Sequence, residues 1–207
     1  MAYFLDHASE SEPRLDAMLL SLASEFRPLC RHDATWALDL LSKRVRPGAE
    51  LPTREDLLAI AQDFESTDGG GPEELLLDHV LVRRRGHPVL VAAVVNEAAR
   101  RAGLHTQILA GKGSWIVADA GSEPKVFVDP SRHGVWPRPG APPHLLRRLC
   151  PHQVSFAVLA QLGHRYAARG DPVRAMKARE LQLGLPLCAE LRDNIAYEHK
   201  RLQAGFN

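Results

Sequence analysis

The chain has 207 residues, 45% hydrophobic and 25% charged, enough apolar material for a packed core and too much for a mainly disordered protein. Its 26 basic and 25 acidic residues leave a net charge of +1, which disfavours a dedicated nucleic-acid or acidic-lipid binder. No run of 18 apolar residues occurs, the first residues lack a basic-then-apolar leader, and three cysteines (Cys30, Cys150, Cys188) do not make a disulfide framework, so the expectation is a cytoplasmic, reducing location with no membrane span.

Residues 9 to about 66 read as helical. Leu15, Met18, Leu19 and Leu22 recur at helical spacing, and so do Trp36, Leu38, Leu40 and Leu41. A third helix is expected from Thr53, whose hydroxyl suits an N-cap, with Glu55 and Asp56 in its first turn. The run Thr67-Asp68-Gly69-Gly70-Gly71-Pro72 then breaks regular structure.

A short helical stretch follows, Glu73 to Arg83. After it comes the most apolar helix of the chain, Val89 to Ala102, hydrophobic on all faces in its first half and therefore expected to be buried. Pro88 fits its first turn, where a missing N–H costs nothing, and Gly103 fits the position just past its end. Three β-like runs come next: Thr106 to Ala110, Trp115 to Ala118 and Lys125 to Val128, the last two separated by a turn at 119–124. A buried helix on an antiparallel sheet makes an α+β core. Residues 137–143 read as a proline-rich linker. A helical tail lies beyond, with helices Ser155 to Arg169, Val173 to Leu183 and about Ala189 to Gln203. Three segments result: a helical region 1–68, a core 69–143 and a tail 144–207.

The run Arg85-Gly86-His87-Pro88, the helix ending at Gly103-Leu104, the Gly113-Ser114-Trp115 step and Phe127-Val128-Asp129-Pro130 together resemble the transglutaminase-like superfamily, with its papain-like core. The bacterial invasion-regulator B branch is most similar, with helices before the core and a tetratricopeptide-like hairpin after it. Leu162-Gly163, Tyr166, Gly170-Asp171 and Ala175 fit that hairpin. The resemblance spans roughly residues 10 to 205. It implies a Cys at the start of the buried helix, a His on the next strand and an Asp on the strand after. In that triad the helix end lowers the thiol pKa, the His takes the proton and the Asp orients the imidazole.

Carried onto this chain, the nucleophile position, fifteen residues ahead of Gly103, is Pro88. The His position is Ser114, and the Asp position is Asp129. Only the orienting residue survives, so the resemblance implies a degenerate triad and no catalytic residues. The implied function is a non-catalytic protein binding a peptide or protein partner, in an accessory or regulatory role within a peptide-modification or natural-product pathway. The alternative is a hydrolase or amide-processing enzyme with a non-standard site, using His87 or Asp129. Candidate ligand-binding residues are Arg84, Arg85, His87, Trp115, Asp129, His133 and Trp136. Each has a plainer reading. Arg83 to Arg85 suit a solvated helix end, His87 suits a cap or surface histidine, and the aromatics suit rim packing. Asp129 before Pro-Ser suits a turn whose carboxylate accepts an N–H two residues on. Cys30-x-His32 and Cys150-x-His152 do not match common zinc spacings, so no metal and no cofactor are expected.

Overall fold

The computed structural model describes residues 4–46, 54–111, 113–119, 127–132, 134–135, 146–186, 195–196 and 199–200. The chain forms two compact units, one from Met1–Pro28 with Pro151–Asn207, the other from Leu29–Cys150.

The first unit is helical. Helix α1 spans Phe4–Ala8 and α2 spans Leu15–Phe26. The expected stripe of Leu15, Met18, Leu19 and Leu22 is buried. The tail supplies two further long helices, whose labels follow those of the second unit. The first covers Pro151–Ala168 and the second Pro172–Leu183. The turn between them takes Gly170 to φ +73°, a left-handed conformation that glycine adopts without steric cost. Asp171 caps the second of these helices, its carboxylate accepting the Arg174 N–H at 3.0 Å, and Pro172 occupies the first helical position. The two helices run antiparallel, since Gln182 Nε2 donates to the Phe156 carbonyl at 3.1 Å. A Cβ on Gly163 would lie 3.3 Å from Arg179 Nε on the second helix, a tight contact with a flexible side chain, and 3.7 Å from the Ala175 carbonyl, an ordinary one. Phe26 stacks on Tyr166 at 5.5 Å, and Lys177 binds the Glu25 carboxylate at 3.1 Å, which ties α2 to the hairpin. Asp171→Ala should cost about 0.5–2 kcal/mol of stability, read from urea unfolding, because it frees one helix-end N–H. An unchanged midpoint would mean the cap contributes nothing. Of the third expected tail helix, only 195–196 and 199–200 are described, and these are helical.

The second unit contains α3 (Arg31–Ser42), α4 (Arg54–Ala61), β1 (Glu65–Ser66), a 3-10 turn at Pro72–Leu75, α5 (Leu77–Arg83), β2 (Arg85–Gly86) and α6 (Pro88–Arg101). Then come β3 (Thr106–Gly111), β4 (Ser114–Asp119), β5 (Phe127–Asp129), a 3-10 turn at Pro130–Arg132, β6 (Gly134–Val135) and β7 (Arg147–Leu149). The helices of the first unit's tail are therefore α7 (Pro151–Ala168) and α8 (Pro172–Leu183). Strands β3 to β7 form one antiparallel sheet in the order β6-β5-β4-β3-β7, and β1 and β2 form a separate parallel pair. The fold class is α+β, as expected.

Helix α6 is buried along Pro88–Ala99, including Asn96 and Glu97, two polar residues that the apolar pattern conceals. Glu97 is neutralised locally. Asn96 Nδ2 donates to it at 3.0 Å and Arg100 Nη1 at 3.1 Å. The helix ends as its sequence dictates. Gly103 lies at φ +90°, its N–H bonds the Arg100 carbonyl, and the Leu104 N–H reaches back to Ala99, both at 3.0 Å.

Three expectations need correction. Trp36 and Leu40 are not core residues: they are 61% and 43% exposed. The buried stripe of α3 is Ala34, Leu38 and Leu41, and at about 100° per residue Trp36 and Leu40 fall on the opposite side. The tail does not begin as helix, because Arg147–Leu149 forms β7 and pairs with β3. Three residues carry no readable periodicity, and two exposed arginines suit an edge strand. Arg85, expected with Arg83 and Arg84 at a solvated helix end, lies in β2 instead. The packing units are cut after Pro28 and Cys150, at other positions than the three sequence segments. The expected linker 137–143 and the Thr53 cap lie outside the described residues.

Asp56, buried at the start of α4, is held by Arg46 in a two-pronged pair at 2.9 and 3.0 Å. That hydrogen bond and charge raise the Arg46 pKa further above its already high ordinary value.

Candidate functional site

The site expected from the sequence centres on the start of α6. What precedes that helix fixes its surroundings. The chain at 65–67 runs beside 84–86, with Glu65 N–H donating to the Arg84 carbonyl at 2.8 Å and Thr67 N–H to the Gly86 carbonyl at 2.9 Å. This places Asp68 at the helix entrance. The Gly69-Gly70-Gly71 stretch then folds around the Glu74 side chain, which occupies the space a Cβ on Gly70 would need. The Glu74 carboxylate is bound by the Thr67 hydroxyl and by Arg85 Nε, the latter at 2.9 Å. The Glu74 carbonyl accepts the His87 N–H at 2.9 Å.

His87 is the N-cap of α6 and nearly buried. Its Nδ1 accepts the Val89 N–H at 3.2 Å, so the neutral ring carries its proton on Nε2. Nε2 lies 3.6 Å from an Asp68 carboxylate oxygen. The cap expected for His87 is therefore realised. The next two amides of the helix are also occupied: Leu90 and Val91 both donate to the His87 carbonyl, at 2.8 and 3.1 Å. Pro88 has no N–H. The first-turn donors that would stabilise an anion at a helix start are thus already used.

Arg84 adopts φ +55°, rare for a residue with a Cβ, and ends α5. Its guanidinium lies 5.0 Å from the Phe64 ring centroid. Arg85 is exposed but paired to Glu74. Arg84 thus lies at a helix end, as expected, while Arg85 is tied to Glu74 on the approach to α6.

On the sheet, Val117 pairs with Val128, so Asp129 falls opposite Ile116. Ser114, two residues from Ile116, lies on the same face as Asp129, and Trp115 lies on the other. Ser114 and Asp129 are both buried, at 7% and 3% exposure. Asp129 behaves as its turn reading requires: Oδ1 accepts the Ser131 N–H at 3.2 Å and the Ser131 hydroxyl at 2.6 Å, while Oδ2 lies 3.8 Å from Arg132 Nε. Trp115 is half-buried opposite Ala110. His133 and Trp136 lie outside the described residues.

The structure therefore gathers Arg84, Arg85 and His87 on the approach to α6, and Ser114 with Asp129 on one sheet face. The sequence reading missed Asp68 and Glu74, taking the first only as part of a loop and the second only as part of a short helical stretch. Two carboxylates flanking a glycine run, just before a histidine-capped helix, were the available signal. Among the described residues no three His, Cys, Asp or Glu side chains converge as a metal site needs. His152, from one of the two Cys-x-His steps, gives its Nε2 to the Ala8 carbonyl at 3.1 Å. No helix among the described residues is long and apolar enough to cross a membrane.

A family model described as the Transglutaminase-like superfamily matches residues 16–157. No curated protein and no solved structure matches the chain significantly.

Proposed function

The chain belongs to the transglutaminase-like superfamily, and from that membership we propose a non-catalytic protein that binds a peptide or protein partner on the scaffold of an acyl-transfer enzyme. The observation that carries this reading is the state of the α6 start. The nucleophile position is Pro88, which has no attacking group. The adjacent Val89 N–H, a donor an oxyanion would need, is bonded to His87. Ser114 in the His position supplies no base at neutral pH.

The role is accessory or regulatory, in a peptide-modification or natural-product pathway of a bacterial cytoplasm. The invasion-regulator B branch is the proposed subtype, and the α7–α8 hairpin is the proposed tetratricopeptide-like second surface. The divisions 1–68, 69–143 and 144–207 are proposed as sequence modules rather than packing units. Arg84, Arg85, His87, Trp115, Asp129, His133 and Trp136 are the proposed ligand-binding residues, with no cofactor.

One observation weighs against the form of the alternative, a non-standard hydrolase, that uses His87. His87 Nδ1 is already an acceptor within the fold. His87, whose other nitrogen carries the proton, would have to give up its bond to Val89 to act as a base on a water.

The test is a calorimetric titration with a panel of short peptides, run beside an amide-hydrolysis and amine-exchange assay on glutamine peptides. The expected result is saturable binding by at least one peptide, weakened at least about tenfold by Trp115→Ala, with no turnover above buffer. Turnover abolished by Asp129→Ala or His87→Ala in folded protein would overturn the reading in favour of the hydrolase. Absence of binding by every peptide, with no effect of the Trp115 or Arg84 variants, would also overturn it.

A further inference from the structure

The cap of α6 is made by an acceptor that can be protonated, and a carboxylate, Asp68, lies 3.6 Å from the other nitrogen of the same ring. Ordinary caps are hydroxyls, amides or carboxylates that keep their acceptor near neutral pH. A neutral imidazole can accept at Nδ1, whereas an imidazolium has donors at both nitrogens and can accept from neither. His87 is in the accepting state, bonded to Val89 N–H at 3.2 Å, with Nε2 3.6 Å from the exposed Asp68 carboxylate. We propose that His87 is a two-position, proton-operated switch: neutral, it caps α6; protonated, it abandons Val89 and pairs with Asp68 on the glycine-rich loop.

The charged groups around it have definite parts. Asp68 favours the imidazolium. The positive end of α6 opposes it, as does removal of the ring from water. Arg85 is held by Glu74, with Glu65 beside it, which offsets the arginine's charge. Asp129 and Arg132, in the segment packed against α6 and β1, are engaged with Ser131 and with each other. A proton taken up by His87 goes to Nδ1, the nitrogen that accepts from Val89, and the resulting positive charge is favoured by the Asp68 carboxylate beside Nε2, on a loop rather than on the helix.

The consequence is that acid releases the Val89 amide, the first N–H of the most buried helix in the chain. It is also the donor whose occupation the non-catalytic reading invokes. The switch does not depend on that reading, because it concerns a bond within the chain and holds whether or not a partner binds.

The experiment is amide hydrogen exchange by NMR from about pH 8 to about pH 5, alongside the titration of the His87 ring resonances. Rates are expressed as protection factors, so the intrinsic pH dependence of exchange cancels. The full chain is compared with His87→Asn, which caps without titrating, and with Asp68→Asn. In the native protein Val89 protection should fall about fivefold as His87 takes its proton, the change that corresponds to losing one ordinary cap. His87→Asn should show a flat profile. Asp68→Asn should shift the His87 midpoint to lower pH, since it removes the carboxylate that favours the charged ring. Val89 protection that is unchanged across the His87 titration overturns the switch. So does a native-like fall in His87→Asn, or an unmoved midpoint in Asp68→Asn. Were His87→Asn to fold poorly, the native titration and Asp68→Asn decide the matter by themselves.

Discussion

Replacing Leu90 with alanine should lower the unfolding free energy by about 2–5 kcal/mol. Leu90 sits in the first turn of α6 with no solvent exposure, in a run where every side chain from Pro88 to Ala99 is buried. The change removes the transfer energy of the lost carbons and leaves a cavity. The surroundings cannot readily close over it, because α6 packs against α3, α4 and α5 as well as β3 and β4. Helix propensity does not help to explain a loss, since alanine is the better helix former, so the whole effect is one of packing. The comparison is Val82→Ala on α5, a side chain 78% exposed, which should change stability by less than about 0.5 kcal/mol. Urea unfolding of the two variants side by side is the measurement. Equal effects would mean that α6 is not the centre of the core.

Gly86→Ala should be the second most damaging of these changes, at about 1–3 kcal/mol. A Cβ at this position would stand 2.5 and 2.9 Å from the two methyl carbons of Val80 and 3.3 Å from the Glu74 carbonyl. Val80 is fully buried on α5, and a branched side chain in a helix has essentially one rotamer, so it cannot turn aside. The backbone of β2 would have to move instead. That movement would disturb the pairing with β1 and the approach to the His87 cap, since the Glu74 carbonyl crowded by the new methyl is the one that accepts His87 N–H. Gly69→Ala is the control in the same region. Nothing lies within 4 Å of its Cβ, and the substitution should be neutral within about 0.5 kcal/mol. If Gly86→Ala proved as harmless as Gly69→Ala in denaturant titration, the tight approach of β2 to α5 would be wrong.

Much of the fold was legible in the sequence where a single physical rule governed a whole element. The burial of α6 followed from its unbroken apolar run, and its ends from a proline that lacks an N–H and a glycine that tolerates positive φ. The α7–α8 hairpin followed from Gly170-Asp171-Pro172, where a turn residue, a capping carboxylate and a first-turn proline stand together. The turn use of the Asp129 carboxylate was local too, since its partner is two residues away. The side of α3 that faces the core was not legible. Apolar residues recur on both sides of that helix, and only packing selected Ala34, Leu38 and Leu41 over Trp36 and Leu40.

Of the candidate site, the sequence by itself determined which residues stand at the positions that the family resemblance assigns to the nucleophile and the base, Pro88 and Ser114. A proline and a serine cannot supply a thiolate and an imidazole, whatever surrounds them. It also determined that an apolar helix and a set of short strands would form a mixed core, because periodicity and caps are properties of neighbours along the chain. The tertiary structure alone decided that β7 closes the edge of the sheet, and that Asp68, Glu74 and Arg85 meet at the entrance to α6. The donors there are spent on a histidine rather than left for a ligand. Those outcomes depend on pairings between separate segments, whose closeness is set by the packing of the intervening chain, and no local pattern encodes that distance.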